Sequence, residues 1–137
     1  MAKVLVDTNV WIDFFRGQRA TTEGQRVAEV LDSLLVQDRV LTCGIVETEL
    51  YQGVRDGERE ILEAHLYALD YLETVRGDYR TAGNILNDLR KRGKTIPTPD
   101  ALMAALCVRR NLTLLERDGH FADIEGLERY PWREPEA

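Results

Sequence analysis

The apolar positions of this chain fall into two patterns, short continuous runs and stripes that repeat every three or four residues. Val4-Leu5-Val6, Val40 to Cys43 and Leu112 to Leu115 are runs of strand length, and Leu72 to Val75 reads as a further short strand. Between them the spacing predicts helices. Thr8 to about Arg16 carries Trp11, Ile12, Phe14 and Phe15 and ends at Gly17. Thr21 or Thr22 caps a second helix, in which Val27, Val30, Leu31, Leu34 and Leu35 share a face up to about Gln37. Gly44 then serves as N-cap, and Val46, Leu50 and Val54 line a helix over Ile45 to Val54. An Asp56-Gly57 turn leads to a helix from Glu58 to about Asp70, and a Gly77-Asp78 turn to one from Asp78 to Arg92, closed by Gly93. Thr98 as N-cap and Pro99 in the first helical position open the last helix, which Asn111 ends. Phe121, Ile124 and Leu127 pack a short final segment, and the charged tail from about Arg133 is predicted to fray.

Strands alternating with helices, without hairpin signals, predict an α/β fold in which a parallel sheet is covered on both faces through right-handed crossovers. The 137 residues, 44% of them hydrophobic, suffice for one domain spanning 1–137 around one core. No apolar run approaches the roughly 18 residues of a membrane span, and a charged strand end arrives too soon for a signal peptide. A soluble, cytoplasmic protein is therefore expected. Cys43 and Cys107 lie far apart in apolar contexts and read as buried free thiols. His65 and His120 are equally isolated, so any metal would be held by oxygen.

Carboxylates recur at the junctions. Asp7 ends the first strand, Glu116 and Asp118 follow the last, and Glu49 and Asp100 lie in helices that open near the same rim. In open α/β sheets ligands bind at that edge. Two of these acids also have a plain structural role available: Asp7 can cap the following helix, and Asp100 suits a first helical turn on dipole grounds. Glu47 and Glu49 are two residues apart on one helix, so only one faces the site. With Gly44 as N-cap, Glu47 is placed to complete a capping box, which leaves Glu49 for the site. Acids converging this closely would raise one another's pKa unless a cation neutralised them. Mg²⁺ or Mn²⁺ suits such oxygen ligands, and a site of this kind directs water at a phosphodiester. Asn9 either supports a metal ligand from behind or simply starts the helix.

A net charge of −6 argues against a protein that coats nucleic acid by bulk electrostatics, though not against a nuclease. Local basic segments, Arg90 to Lys94 and Arg109-Arg110, read equally well as phosphate contacts or as cations at helix C-termini. There is no GxSxG, and no glycine-rich phosphate loop.

The blocks V-L-V-D-T-N-V-W-I-D-F (Val4 to Phe14), E-T-E-L-Y-Q-G (Glu47 to Gly53), T-P-D-A-L-M-A-A (Thr98 to Ala105) and L-L-E-R-D-G-H-F-A-D-I (Leu114 to Ile124) resemble, in order, the four blocks of PIN-domain ribonucleases. The resemblance is nearest to the VapC toxins of toxin-antitoxin pairs and spans nearly the whole chain. It implies a three-layer PIN-like fold with a central parallel sheet of four or five strands flanked by helices. It further implies a Mg²⁺- or Mn²⁺-dependent endoribonuclease acting on RNA, a homodimer, and inhibition by a VapB-like antitoxin. Matched by motif, the metal-site acids fall on Asp7, Glu49, Asp100 and Asp118. Many relatives carry a small hydroxyl residue or a His in place of Glu116 and an Asp in place of His120, so Glu116 or Asp123 could supplement or replace Asp118. Trp11, Phe14 and Phe15 exceed what one short helix buries against its own sheet, and part of that surface is expected to await the antitoxin.

Two other readings use the same acids. A strand-end aspartate also serves phosphoryl transfer in haloacid-dehalogenase-like phosphatases and phosphorelay receivers, but the first need DxD where this chain has Asp7-Thr8-Asn9. Receivers need an acidic pair and a later Lys around a central phosphoacceptor, and that pattern is not met either. In a catalytically silent PIN-like binding module the acids would serve only as caps, and metal would change nothing.

Overall fold

In the computed structural model, which describes residues 2–133, the Val4-Leu5-Val6 run is the middle strand of a five-stranded, wholly parallel sheet. This strand, β1 (Val4–Val6), lies between β2 (Val40–Cys43) and β4 (Thr113–Leu115), with β3 (Asp70–Leu72) and β5 (Glu128–Arg129) at the edges. All three β1 residues are fully buried, as a strand covered on both faces requires. Leu5 is in register with Leu41 of β2 and Leu114 of β4. The ladder runs one residue further, because the Asp7 N–H donates to the Leu115 carbonyl at 2.9 Å.

Six helices flank the sheet: α1 (Thr8–Arg16), α2 (Thr22–Val36), α3 (Gly44–Gly53), α4 (Arg59–Tyr67), α5 (Arg76–Lys91) and α6 (Thr98–Arg110). Every residue of α6 from Ala101 to Cys107 is buried. Its small side chains allow close approach, and Ala101, Leu102 and Ala105 form a seam with Ala82 of α5. The same helix pair is tied at its other end by Asp78, fully buried, which accepts Arg109 at 2.6 Å and Arg110 at 2.7 and 2.9 Å. Cys43 and Cys107 are buried free thiols, as expected. No helix among the described residues is long and apolar enough to cross a membrane.

Several elements depart from the sequence expectation, each for a local reason. The strand expected at Leu72 to Val75 is β3, two residues earlier; Asp70 and Tyr71 are exposed, and main-chain pairing of Leu41 with Asp70 and Cys43 with Leu72 defines this edge rather than burial. Helix α4 accordingly stops at Tyr67, and α5 starts at Arg76 instead of Asp78, because the Asp78 carboxylate accepts the Val75 N–H at 2.7 Å and closes the first turn from inside. Cys43, not Gly44, occupies the N-cap of α3. Glu47 is thereby one position too late for a capping box and accepts the Thr42 hydroxyl at 3.2 Å instead. In α6 the N-cap is Pro97, with Thr98 first and Pro99 second.

Trp11, expected to contribute to an open aromatic face, is fully buried and stacks on Phe15 with centroids 5.9 Å apart. Phe14 and Phe15 both make T-shaped contacts with His65 from α4, and of the three aromatic residues only Phe15 is exposed, at 37%. Arg133 does not fray: it makes three hydrogen bonds to the Glu116-Arg117 segment. The rest of the expected tail, 134–137, lies outside the described residues.

Candidate functional site

From β1 the chain crosses to β2 on one side of the sheet, yet β4 lies on the other, so the strand order switches direction between β1 and β4. Ligands bind at the carboxyl ends of strands at such a point. Asp7 follows β1 directly and Asp118 follows β4 by three residues, while α1 and α6 open beside them with Thr8, Asn9 and Asp100 in their first turns. Helix α3 packs against α1 and contributes Glu49.

The four acids differ in environment. Asp7 is 2% exposed, and although it stands at the N-cap of α1 its side chain makes no capping bond. Its Oδ2 is buried without any hydrogen-bond partner. Burial first, and then the charges of Asp100, Asp118 and Glu49, push its carboxyl up to about 8. Asp100 is also raised by burial, against the downward pull of His120, whose Nε2 lies 2.6 Å from Asp100 Oδ2. Asp118 accepts the Asn9 amide at 2.7 Å, and Glu49 accepts the Thr8 hydroxyl at 2.6 Å. Each of these bonds uses one of two carboxylate oxygens.

As they stand, no three Asp, Glu, His or Cys side chains among the described residues are close enough together to grip an ion. Three of the acids are turned to partners of their own, and the fourth has an oxygen with none. The donor chemistry nevertheless fits a hard divalent cation. The set offers carboxylate oxygens only, and Asp7 is a buried group whose charged form lacks any compensating cation among the described residues.

The remaining acids are committed elsewhere. Glu116 is fully buried and paired with Arg129 and Arg133, so it adds no free carboxylate to the rim. Asp123 pairs with Lys94 at 2.8 Å. Asp13, which the sequence pattern did not single out, is buried in α1 and grips Arg117 through both oxygens at 2.9 Å. Gly24 makes room for it, since a Cβ there would stand 2.7 Å from Asp13 Oδ1. Arg117 sits between two acids in sequence, and that was the only local sign that a partner for it lay elsewhere.

Beside the acids, a groove of about 580 Å³ runs between α1, α3 and α4. Its lining includes the apolar Ile12, Phe15, Val54 and Ile61 together with Arg16, Arg19, Arg55 and Glu49.

Residues 4–127 match the family model of the PIN domain. The chain belongs to the PIN-domain family. It is similar to the VapC ribonuclease Mb1587 of Mycobacterium bovis and to ribonuclease VapC11 of Mycobacterium tuberculosis, each 30% identical over 125 residues that cover 86% of this chain and 88% of the relative. Among solved structures, the DNA-bound VapBC of Salmonella typhimurium matches with a TM-score of 0.77 at 21% identity, over 97% of this chain and 100% of that one. VapBC2 of Rickettsia felis, bound to a DNA fragment from its promoter, matches at 0.75 and 20%, over 95% and 98%. These structures bear on the fold, and the fold is the three-layer PIN arrangement with five parallel strands.

Proposed function

We propose that this PIN domain is the toxin of a toxin-antitoxin pair, an endoribonuclease that hydrolyses RNA phosphodiester bonds. On this reading Asp7, Glu49, Asp100 and Asp118 hold Mg²⁺ or Mn²⁺. The carrying observation is Asp7: a buried carboxyl with an orphaned oxygen, pushed up to about 8 by burial and three neighbouring acids. Such a group retains a proton at neutral pH unless a cation takes the proton's place. When bound, the cation supplies Lewis-acid charge that lets a phosphodiester approach the acids and lowers the pKa of the attacking water. The protein's own part is to hold the acids. Thr8 fixes Glu49, Asn9 fixes Asp118 and His120 fixes Asp100, each through one oxygen. Residues that orient ligands in this way matter nearly as much as the ligands themselves.

The partner that silences the site is a VapB-like antitoxin. The groove between α1, α3 and α4 suits an amphipathic segment with apolar anchors, and Glu49 at its margin brings such a segment to the acids. Exposed Tyr71, Val75 and Tyr79 near the β3 edge offer a face for a second copy of the chain, and a homodimer acting in the cytoplasm completes the reading.

Protein freed of antitoxin, incubated with total RNA and Mn²⁺, should cut at sites that mapping of the ends reveals. EDTA, Asp7→Ala and Glu49→Gln should each reduce cleavage by at least about 100-fold, given the several kcal/mol a metal contributes to such a transition state. Glu47→Gln, which removes a charge but keeps an oxygen to accept the Thr42 hydroxyl, should cut normally. Full cleavage by folded Asp7→Ala would overturn the assignment.

A further inference from the structure

Glu116, Arg117 and Asp118 leave β4 in succession, and each is tied to a different part of the chain. The Glu116 carboxylate, fully buried, accepts two bonds from Arg133 at 3.0 and 3.1 Å and one from Arg129 at 3.3 Å. The Glu116 carbonyl accepts the Trp132 indole N–H at 2.7 Å, and the Arg117 carbonyl accepts Arg133 at 2.6 Å. The Arg133 guanidinium also lies over the Trp132 ring, 4.7 Å from its centroid. The Arg117 side chain donates through Nη1 to both Asp13 oxygens and through Nη2 to the Thr21 hydroxyl at 2.9 Å. Asp118 comes next, held by Asn9.

Packing alone does not call for an ionic group at the end of β4, since well-packed apolar residues commonly serve a buried site as well as or better than an ion pair. A buried pair can, however, specify one geometry, and two of the bonds from the C-terminal segment go to main-chain carbonyls of the residues just before Asp118. We infer that residues 129–133 form a positioning strap, anchored on Glu116, which sets the main chain at 116–117 and thereby aims Asp118 at the acid site; this rests on reading that site as the metal-holding one. Trp132 and Arg133 touch no reacting atom. They act through Asp118.

The test uses the full chain with Trp132→Phe, which keeps an aromatic ring but loses the N–H, and Arg133→Ala. Two readouts are taken: the Asn9 side-chain amide resonances by NMR without metal, and Mn²⁺ affinity by calorimetry. Both variants should move the Asn9 signals toward their position in Asp118→Ala and weaken Mn²⁺ binding about tenfold or more, as loss of an outer support does. Arg133→Lys, unable to supply the fork, should fall between. Asn9 signals and Mn²⁺ affinity at wild-type values in the folded variants would overturn the strap, even if thermal stability fell. Should Arg133→Ala fail to fold, Trp132→Phe decides. A wild type that binds no Mn²⁺ would overturn the metal reading, while the Asn9 signals would still judge the strap.

Discussion

On the proposed reading, Asp7 is the residue at which folding and function pull in opposite directions. Its carboxyl has a reference value of 3.8 and a folded value of about 8. Between those values the unfolded chain has lost the proton and the folded chain retains it, so in metal-free protein this group withdraws stability as pH rises through that window. Asp7→Asn should therefore be more stable than wild type in EDTA at pH 8, by at least the roughly 1.4 kcal/mol of one pKa unit, and the gap should close toward pH 4. Denaturant unfolding at the two pH values measures it; a gap independent of pH would contradict the burial argument. The strand-end placement of Asp7 could be read from the chain, because an apolar run stopping at a carboxylate is a local signal. Glu49 was singled out over Glu47 on a capping argument whose premise fails, since Glu47 bonds to Thr42 and caps nothing. Asp13 with Arg117, and Glu116 with Arg129 and Arg133, could not be matched from the chain, because partners far apart in sequence make no periodic pattern.

Among the elements, the joint between α5 and α6 depends on one buried acid. Asp78 closes the first turn of α5 through the Val75 N–H and takes both arginines at the end of α6. The Arg110 hydrogen bond, foremost, holds its carboxyl well below the usual range. Its contribution is thus present above about pH 4 and lost as pH falls through the folded value, the reverse of Asp7. Asp78→Ala strands two cations and a part-buried N–H and should cost about 3 kcal/mol, read as a lower denaturation midpoint at neutral pH; a loss under about 1 kcal/mol would show that water replaces the carboxylate freely. Arg109-Arg110 looked from the sequence like a phosphate contact or a dipole-stabilised helix end, and the structure gives both side chains a specific acid. Central strands and long helices were legible from hydrophobic pattern. The edges were less so: β3 and β5 expose their side chains and are defined by main-chain pairing.

At the scale of the molecule, the groove and the acid site adjoin through Glu49, which belongs to both. An antitoxin segment lying in the groove and directing a cationic side chain at the acids would compete with the metal. Excess Mn²⁺ should then weaken the complex more than NaCl of equal ionic strength, and Phe15→Ala should weaken it while leaving Mn²⁺ affinity intact. Calorimetric titration with the cognate antitoxin separates the two effects, and identical responses to both salts would sink the competition. The strand order carries a temporal consequence as well. The chain emerges from the ribosome with Asp7 first, but its pairing partner β4 is made over a hundred residues later, and the arginine that grips Glu116 later still. A growing polypeptide that has not reached Asp118 lacks one of the four acids, so on the proposed reading the set is completed only after β4 has been made.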